Sequence, residues 1–186
     1  LSESDRKRFA DYDIDVLINN AAIGETGPLL EIPVDRIRKN FETNVFSAIE
    51  FSQQFARRMV ERGSGKIVFV GSLGGRLAMP FVGPYVMTKF ALEAAIDVLR
   101  IELRPLGIKV SLIEPGGYAT DFNEKMIAKK YEWMDESSLY HEHLGYISFF
   151  EKSISRFESK HVHRIARKIV KATEAKRPFA RYVAPW

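Results

Sequence analysis

An α/β fold built on a parallel sheet is predicted by three observations in the 186-residue chain. Short apolar bursts recur at 15–18, 66–70 and 108–113, too short for helices and bounded by polar or glycine-rich residues. Long segments of helical periodicity separate them. Loops rich in Gly, Asn, Ser and Pro follow each burst. Sheets of this kind hold ligands in the crevice beyond their C-terminal strand ends, at the topological switch point. Three loops leave those ends, from Asn19, Gly71 and Pro115, and functional residues are expected there.

The elements follow in order. Ser4 to Tyr12 is a short polar helix candidate. Asp15 to Ile18 is a buried strand, and 19–28 a loop with Gly24, Gly27 and Pro28. Val34 to Arg62 is one helix, with Ile37, Phe41, Val45, Ala48, Ser52, Phe55 and Met59 on one face. Gly63 and Gly65 stop it. Lys66 to Val70 is the second strand, followed by the small-residue loop 71–75. Tyr85 to Arg104 is a helix whose inner stripe is Tyr85, Lys89, Leu92, Ile96, Leu99 and Leu103; Pro105 and Gly107 end it. Ile108 to Ile113 is the third strand. Residues 121–160 read as irregular. Val162 to Thr173 is a last helix, and Arg181 to Ala184 a short last strand. The alternation is that of crossover units.

Composition excludes several classes. With 46% hydrophobic and 28% charged residues the chain is not of disordered type. No apolar run approaches ~18 residues, so no membrane span is expected. The run from Leu1 to Arg8 is too polar for a secretory leader. The absence of Cys excludes a disulfide scaffold and fits a cytoplasmic protein. Residues 151–186 hold ten Lys/Arg against three Asp/Glu. A basic tail suits nucleic acid or acidic lipid, but Lys/Arg at 164, 167, 168 and 171 alternate with an apolar stripe. A solvated outer helix face is therefore expected, with no nucleic-acid or membrane partner. The pairs His141/His143 and His161/His163 lack a carboxylate set at ligand spacing, so no metal is expected.

Tyr85 and Lys89 stand four residues apart on one helix face. A free tyrosine ionises near pH ~10, too high for acid–base work at neutral pH. An ammonium at ~4 Å, with an effective dielectric near 20, attracts the phenolate by about 4 kcal/mol gross. The pair thus predicts a phenol lowered by about one to three pH units, a usable general acid/base. The helix N-terminus also favours an anion. Spacing alone carries little weight: seven Tyr and thirteen Lys give about half a chance occurrence. Ser72, two residues past Val70, can donate to a substrate oxygen beside Tyr85, or be an ordinary loop serine. Asn44 is a mediocre helix former inside a helix. It either faces solvent or opens the helix, its amide holding a water.

In combination these features are specific. Asn19-Asn-Ala-Ala22 after the first strand, Asn44 in the next helix, Ser72 after the second strand, Tyr85-x-x-x-Lys89, and Pro115-Gly-x-x-x-Thr120 after the third occur in one order. Together they resemble the short-chain dehydrogenase/reductase superfamily, closely over residues 1–125 and loosely beyond. The resemblance implies a Rossmann-like, doubly wound parallel sheet and NAD(P)-dependent oxidoreduction of alcohols and carbonyls. It implies that Tyr85 is the proton donor or base, that Lys89 lowers its pKa and holds the nicotinamide ribose, and that Ser72 binds the substrate oxygen. Asn44 would position a water in a proton relay reaching Lys89. Asn19 and Ala21 would line the adenine ribose side of NAD or NADP, with Gly71, Pro115, Gly116 and Thr120 nearer the nicotinamide. Homodimers or homotetramers through the helices at 34–62 and 85–104 are also implied. The runs 87–94 and 108–116 look most like the retinol-, hydroxysteroid- and hydroxybutyrate-dehydrogenase branch.

One departure is large. The family's Thr-Gly-x-x-x-Gly-x-Gly loop, which binds the pyrophosphate, has no counterpart here. Residues 63–66 lack P-loop spacing and precede a strand. The first strand here matches the family's fourth. Three strands and their helices, roughly 65–70 residues, are then missing. The chain is expected to be the C-terminal part of one such domain, a fragment or a truncated gene product, inactive alone. Its edge at 15–18 would be sticky, and the choice of NAD or NADP is not encoded in it.

Within 121–160, eight aromatics with Met126 and Met134 predict a substrate lid over a large apolar pocket, or else a cover for the sheet or an interface. Two other classes compete: a catalytically silent binding or regulatory protein, favoured by the absent phosphate loop, and a nucleic-acid binder resting on the basic tail.

Overall fold

The computed structural model describes residues 9, 12–156 and 158–184. Four parallel strands pair in chain order: β1 (Val16–Asn19), β2 (Gly65–Val70), β3 (Ile108–Pro115) and β4 (Arg181–Ala184). Val16 lies opposite Lys66, Gly65 opposite Ile108, and Leu112 opposite Arg181. The order runs in one direction, so these four strands contain no switch point. Their C-terminal ends share one edge of the sheet.

Strand alternation explains why the apolar bursts are nearly continuous. Ile67, Phe69, Val110 and Leu112 pack on Met59, Ala56, Leu92 and Ile96, from helices α2 (Ser47–Glu61) and α3 (Gly83–Leu103). Val68, Ile113 and Tyr182 face the other way, onto Ile165, Ile169 and Ala172 of α6 (His163–Glu174). Both faces are covered, as a parallel sheet requires. β1 forms one border of this sheet, and its Ile18 is 44% exposed.

The expected helix over 34–62 is broken. Helix α1 (Val34–Phe41) runs into a π-turn, Glu42–Phe46, before α2 begins. The inner face survives, because Val45, Ala48, Ser52, Phe55 and Met59 are all buried. Helix α3 starts two residues before Tyr85, with Pro84 in its first turn, where no N–H is needed. A 3-10 turn, Arg104–Leu106, and Gly107 at φ +82 end it. A Cβ at Gly107 would lie 2.1 Å from the Gly63 carbonyl oxygen, so two chain reversals pack backbone to backbone.

Residues 121–160 are not irregular. They hold α4 (Asp121–Ala128) and α5 (Leu144–Arg156), with 3-10 turns at Lys129–Glu132 and His141–His143. Periodicity was obscured because α5 buries a charge: Glu151, one turn beyond the buried Ile147, is ion-paired with the buried Lys130. Tyr146 and Phe149 meanwhile face outward. The helix candidate at Ser4 to Tyr12 lies largely outside the described residues.

The His pairs sit in the 3-10 turn and at the entry to α6. Among the described residues no group of three His, Cys, Asp or Glu could hold a metal. No described helix is long and apolar enough to cross a membrane. Arg164, Arg167 and Lys171 of α6 are exposed, opposite its packed stripe.

Candidate active site

The end of the second strand and the first two turns of α3 bring together three predicted residues, Ser72, Tyr85 and Lys89, and the π-turn sets Asn44 against α3 through Thr88. Ser72 caps the 3-10 turn Leu73–Gly75, its Oγ accepting from Gly74 N at 3.0 Å. The same hydroxyl is hydrogen-bonded to Tyr85. The loop must be small here. A Cβ at Gly75 would lie 2.9 Å from the Lys89 carbonyl oxygen, and one at Gly71 2.8 Å from Leu112 Cδ1.

Lys89 is buried and donates from Nζ to the Val70 carbonyl at 3.0 Å. That Nζ also lies 5.4 Å from the centroid of the Tyr85 ring. Burial lowers the ammonium to about 8. Burial likewise raises the Tyr85 phenol, with the Ser72 hydrogen bond pulling the other way. This corrects the expected direction. The i, i+4 spacing brings Lys89 to the ring, but desolvation outweighs its attraction for a phenolate. With the chain's own groups, Tyr85 keeps its proton.

Asn44 does open the helix, at the π-turn. Its amide is engaged within the chain rather than held free for a water. Oδ1 accepts from Ile23 N, and Nδ2 donates to Ile23 O, each at 2.8 Å. Nδ2 also donates to Thr88 Oγ1 at 2.9 Å, and that hydroxyl donates to the Tyr85 carbonyl at 2.7 Å. Both amide donors are thereby used, so a relay water would have to donate to the second lone pair of Oδ1 or take its own hydrogen bond from another donor.

The remaining predicted residues line the same sheet edge without joining this cluster. Asn19 Nδ2 donates to Ser52 Oγ at 3.0 Å, and Ala21 is exposed in the loop beyond. Gly71 N donates to Ile113 O, and Gly116 N to Ala184 O, both at 2.8 Å. Pro115 pairs with Ala184, and Thr120 stands exposed at the start of α4.

Sequence reasoning missed Thr88, the Ile23 backbone and the Val70 carbonyl. Only Thr88 carried a signal, three residues after Tyr85 and on the same helix side. It read 121–160 as a lid or cover but missed that a helix, α4, brings Phe122 onto Tyr85, at 5.4 Å between ring centroids. Met79, Val82, Val86 and Met126 complete an apolar cluster there.

The residues fit a nicotinamide ribose. An ammonium has three donors, and the hydrogen bond described for the buried Lys89 takes one of them. A cation so enclosed, with one carbonyl partner, suits a sugar diol.

Comparisons agree with this geometry. A family profile described as short chain dehydrogenase matches residues 5–131. The chain is 32% identical over 179 residues to human 17-beta-hydroxysteroid dehydrogenase type 1, covering 95% of this chain and 54% of that one. It is 31% identical over 178 residues to the mitochondrial D-beta-hydroxybutyrate dehydrogenase of Mus musculus, covering 89% and 51%. A solved short-chain dehydrogenase from Streptomyces avermitilis superposes with a TM-score of 0.75 at 26% identity, covering 95% of this chain and 63% of that structure. The chain spans about half the length of these curated relatives. The Ser, Tyr and Lys cluster at the edge of a parallel sheet and the matched profile agree: this chain belongs to the short-chain dehydrogenase family.

Proposed function

We propose that this chain carries the acid–base half of an NAD(P)-dependent oxidoreductase that interconverts a secondary alcohol and a carbonyl. The observation that supports it is the convergence of Ser72, Tyr85 and Lys89 at one strand end, with the phenol protonated. NAD or NADP, when bound, supplies or accepts the hydride. Lys89 would hold the nicotinamide ribose, with Gly71, Pro115, Gly116 and Thr120 around that half and Asn19 and Ala21 toward the adenosine.

In the reducing direction Tyr85 donates its phenolic proton to the carbonyl oxygen as the carbon gains hydride. Ser72 donates a hydrogen bond to that oxygen and stabilises its developing charge. In the oxidising direction the phenolate takes the alcohol proton. Burial that raises the phenol favours the donor role at neutral pH. A cationic Lys89 offsets that burial when a phenolate forms. Asn44 fixes Ile23 and, through Thr88, the first turn of α3.

The substrate is apolar and fairly large. Phe122, Met79, Val82, Val86 and Met126 pack around the face of Tyr85 turned toward α4. Two or four copies associate through α3, whose Met87, Phe90, Val98 and Ile101 are exposed.

The test is a panel of secondary alcohols of increasing apolar size, given to the intact protein with NAD or NADP. Absorbance of the reduced nicotinamide should appear, with KM falling as apolar size grows. A folded protein that turns over no alcohol or carbonyl with either cofactor overturns the reading.

A further inference from the structure

The segment covering Tyr85 is fastened by polar groups that the proposed chemistry does not use. Glu25, in the loop after β1, is 3% exposed. Its Oε1 accepts from Arg36 Nη1 at 3.1 Å and from Trp133 Nε1 at 3.2 Å. Arg36 Nη1 also reaches Glu132 Oε2 at 3.0 Å. The guanidinium therefore ties α1 to the loop and to the turn beyond α4. Beside Glu25, the buried Thr26 donates from Oγ1 to the Met126 carbonyl at 3.1 Å. Two glycines seat the same segment. A Cβ at Gly24 would lie 2.3 Å from Met126 Sδ, and one at Gly27 2.5 Å from the Trp133 ring.

This loop is also joined to the reacting groups. Asn44 grips Ile23 by both backbone atoms and reaches Thr88. Gly27 N donates to the Phe81 carbonyl at 2.8 Å, two residues before α3. Phe81 holds φ +62, a left-handed conformation that is strained for a bulky side chain. Its ring meets Tyr140, Tyr146 and Phe150 of the covering segment at 5.5–5.9 Å.

We propose that Glu25 is a positioning residue for substrate binding: it clamps residues 121–156 over Tyr85 through Trp133 and Arg36, and so sets how tightly an apolar substrate is enclosed. The proposal rests on the functional reading above. A buried carboxylate is costly unless its acceptors are met. Here its donors come from two elements, α1 and the covering segment. Lifting Trp133 leaves Glu25 under-satisfied and strips the indole N–H, a donor only, of its acceptor. The clamp thus opposes opening beyond the contact area of the ring alone. Glu25 bonds to none of Ser72, Tyr85 or Lys89, so its loss should act on KM before kcat.

The test uses the intact protein with every other tryptophan, Trp186 included, replaced by Phe. Glu25→Ala should at least double acrylamide quenching of Trp133 and raise KM for an apolar carbonyl about tenfold, with kcat within about threefold. Glu25→Gln keeps an acceptor and should restore both to within about threefold. If Glu25→Ala does not fold, Arg36→Met removes the other donor to Glu25 and keeps Trp133 as the reporter; quenching and KM should still both rise. Unchanged quenching overturns the clamp. So does a rise in quenching with KM unchanged, or a loss of kcat at constant KM. Quenching is read without turnover. A protein with no oxidoreductase activity would therefore overturn the functional reading, while quenching still decides the clamp.

Discussion

The two sides of Tyr85 are built by different rules. The side toward the sheet is a floor: Ser72, Gly75 and Lys89 are set by adjacent strands and one helix, over fully buried residues such as Ile67, Phe69 and Leu112. The side toward α4 is a cover: Met126 and Trp133 are held by hydrogen bonds to residues about a hundred positions earlier, and Phe122 packs its ring on Tyr85. Core packing makes the floor part of global stability. Each cover bond contributes about 1–3 kcal/mol net, far less than the packed core beneath the floor, so the cover is expected to open before the sheet does. Such a division would keep Tyr85, the proposed proton donor, rigid while a substrate enters.

The largest expected effect breaks the floor chemically without moving it. Tyr85→Phe removes one oxygen, and turnover should fall by about 10²–10⁴. Circular dichroism and cofactor binding should be unchanged. Turnover near the parent value would remove Tyr85 from the acid–base role.

The next effect tests the floor's electrostatics. Lys89 falls from 10.5 when exposed to about 8 in the fold. Between those values the unfolded chain binds the extra proton, so stability rises with pH across the window and the penalty is complete below about 8. Lys89→Met should therefore stabilise the protein at pH 7 by about 3 kcal/mol in urea titrations, and by almost nothing at pH 11. It should also be inactive. Equal stability at pH 7 would show that Lys89 is solvated or paired.

Asn44→Ala crosses the boundary between floor and cover. It leaves the Ile23 backbone and the Thr88 hydroxyl without their partner. Destabilisation by about 2 kcal/mol is expected in the same titrations, with a higher KM. An unaffected KM would mean that Ile23 does not transmit to the cover.

The floor was far more legible in the sequence than the cover. Strands at 66–70 and 108–113 and the stripe from Tyr85 to Leu103 rest on local periodicity, which survives in any fold that buries one face. Tyr85, Lys89 and Ser72 were legible as one group because the motifs occur in one order that resembles the family; four residues on a helix, and two past a strand, carry little weight alone. The direction of their pKa shifts was not legible, since spacing reports proximity and not burial. Asn44 stood out as a poor helix former, but its partner Thr88 lies 44 residues away. Nothing local marks Glu25 as the acceptor for Trp133. On α5, the buried Glu151 breaks the apolar stripe that would have announced a helix.

The smallest expected effect is that of Gly27→Ala, and set against Gly107→Ala it separates floor from cover most cleanly, because the two glycines sit one in each. At Gly107 a Cβ would lie 2.1 Å from a backbone oxygen, between the turns that start β2 and β3. Backbone at that position cannot yield without shifting both strands. At Gly27 the conflict is with the Trp133 ring at 2.5 Å, joined by the strain of φ +133. That ring belongs to the cover and can lift. Gly107→Ala should therefore lower global stability, and amides across β2 and β3 should exchange faster. Gly27→Ala should cost only about 1 kcal/mol globally. Its faster exchange should be confined to 124–134, and Trp133 should become more quenchable. If Gly27→Ala instead loosens β2 and β3, floor and cover unfold as one unit, and substrate entry must use motions smaller than the lifting of α4.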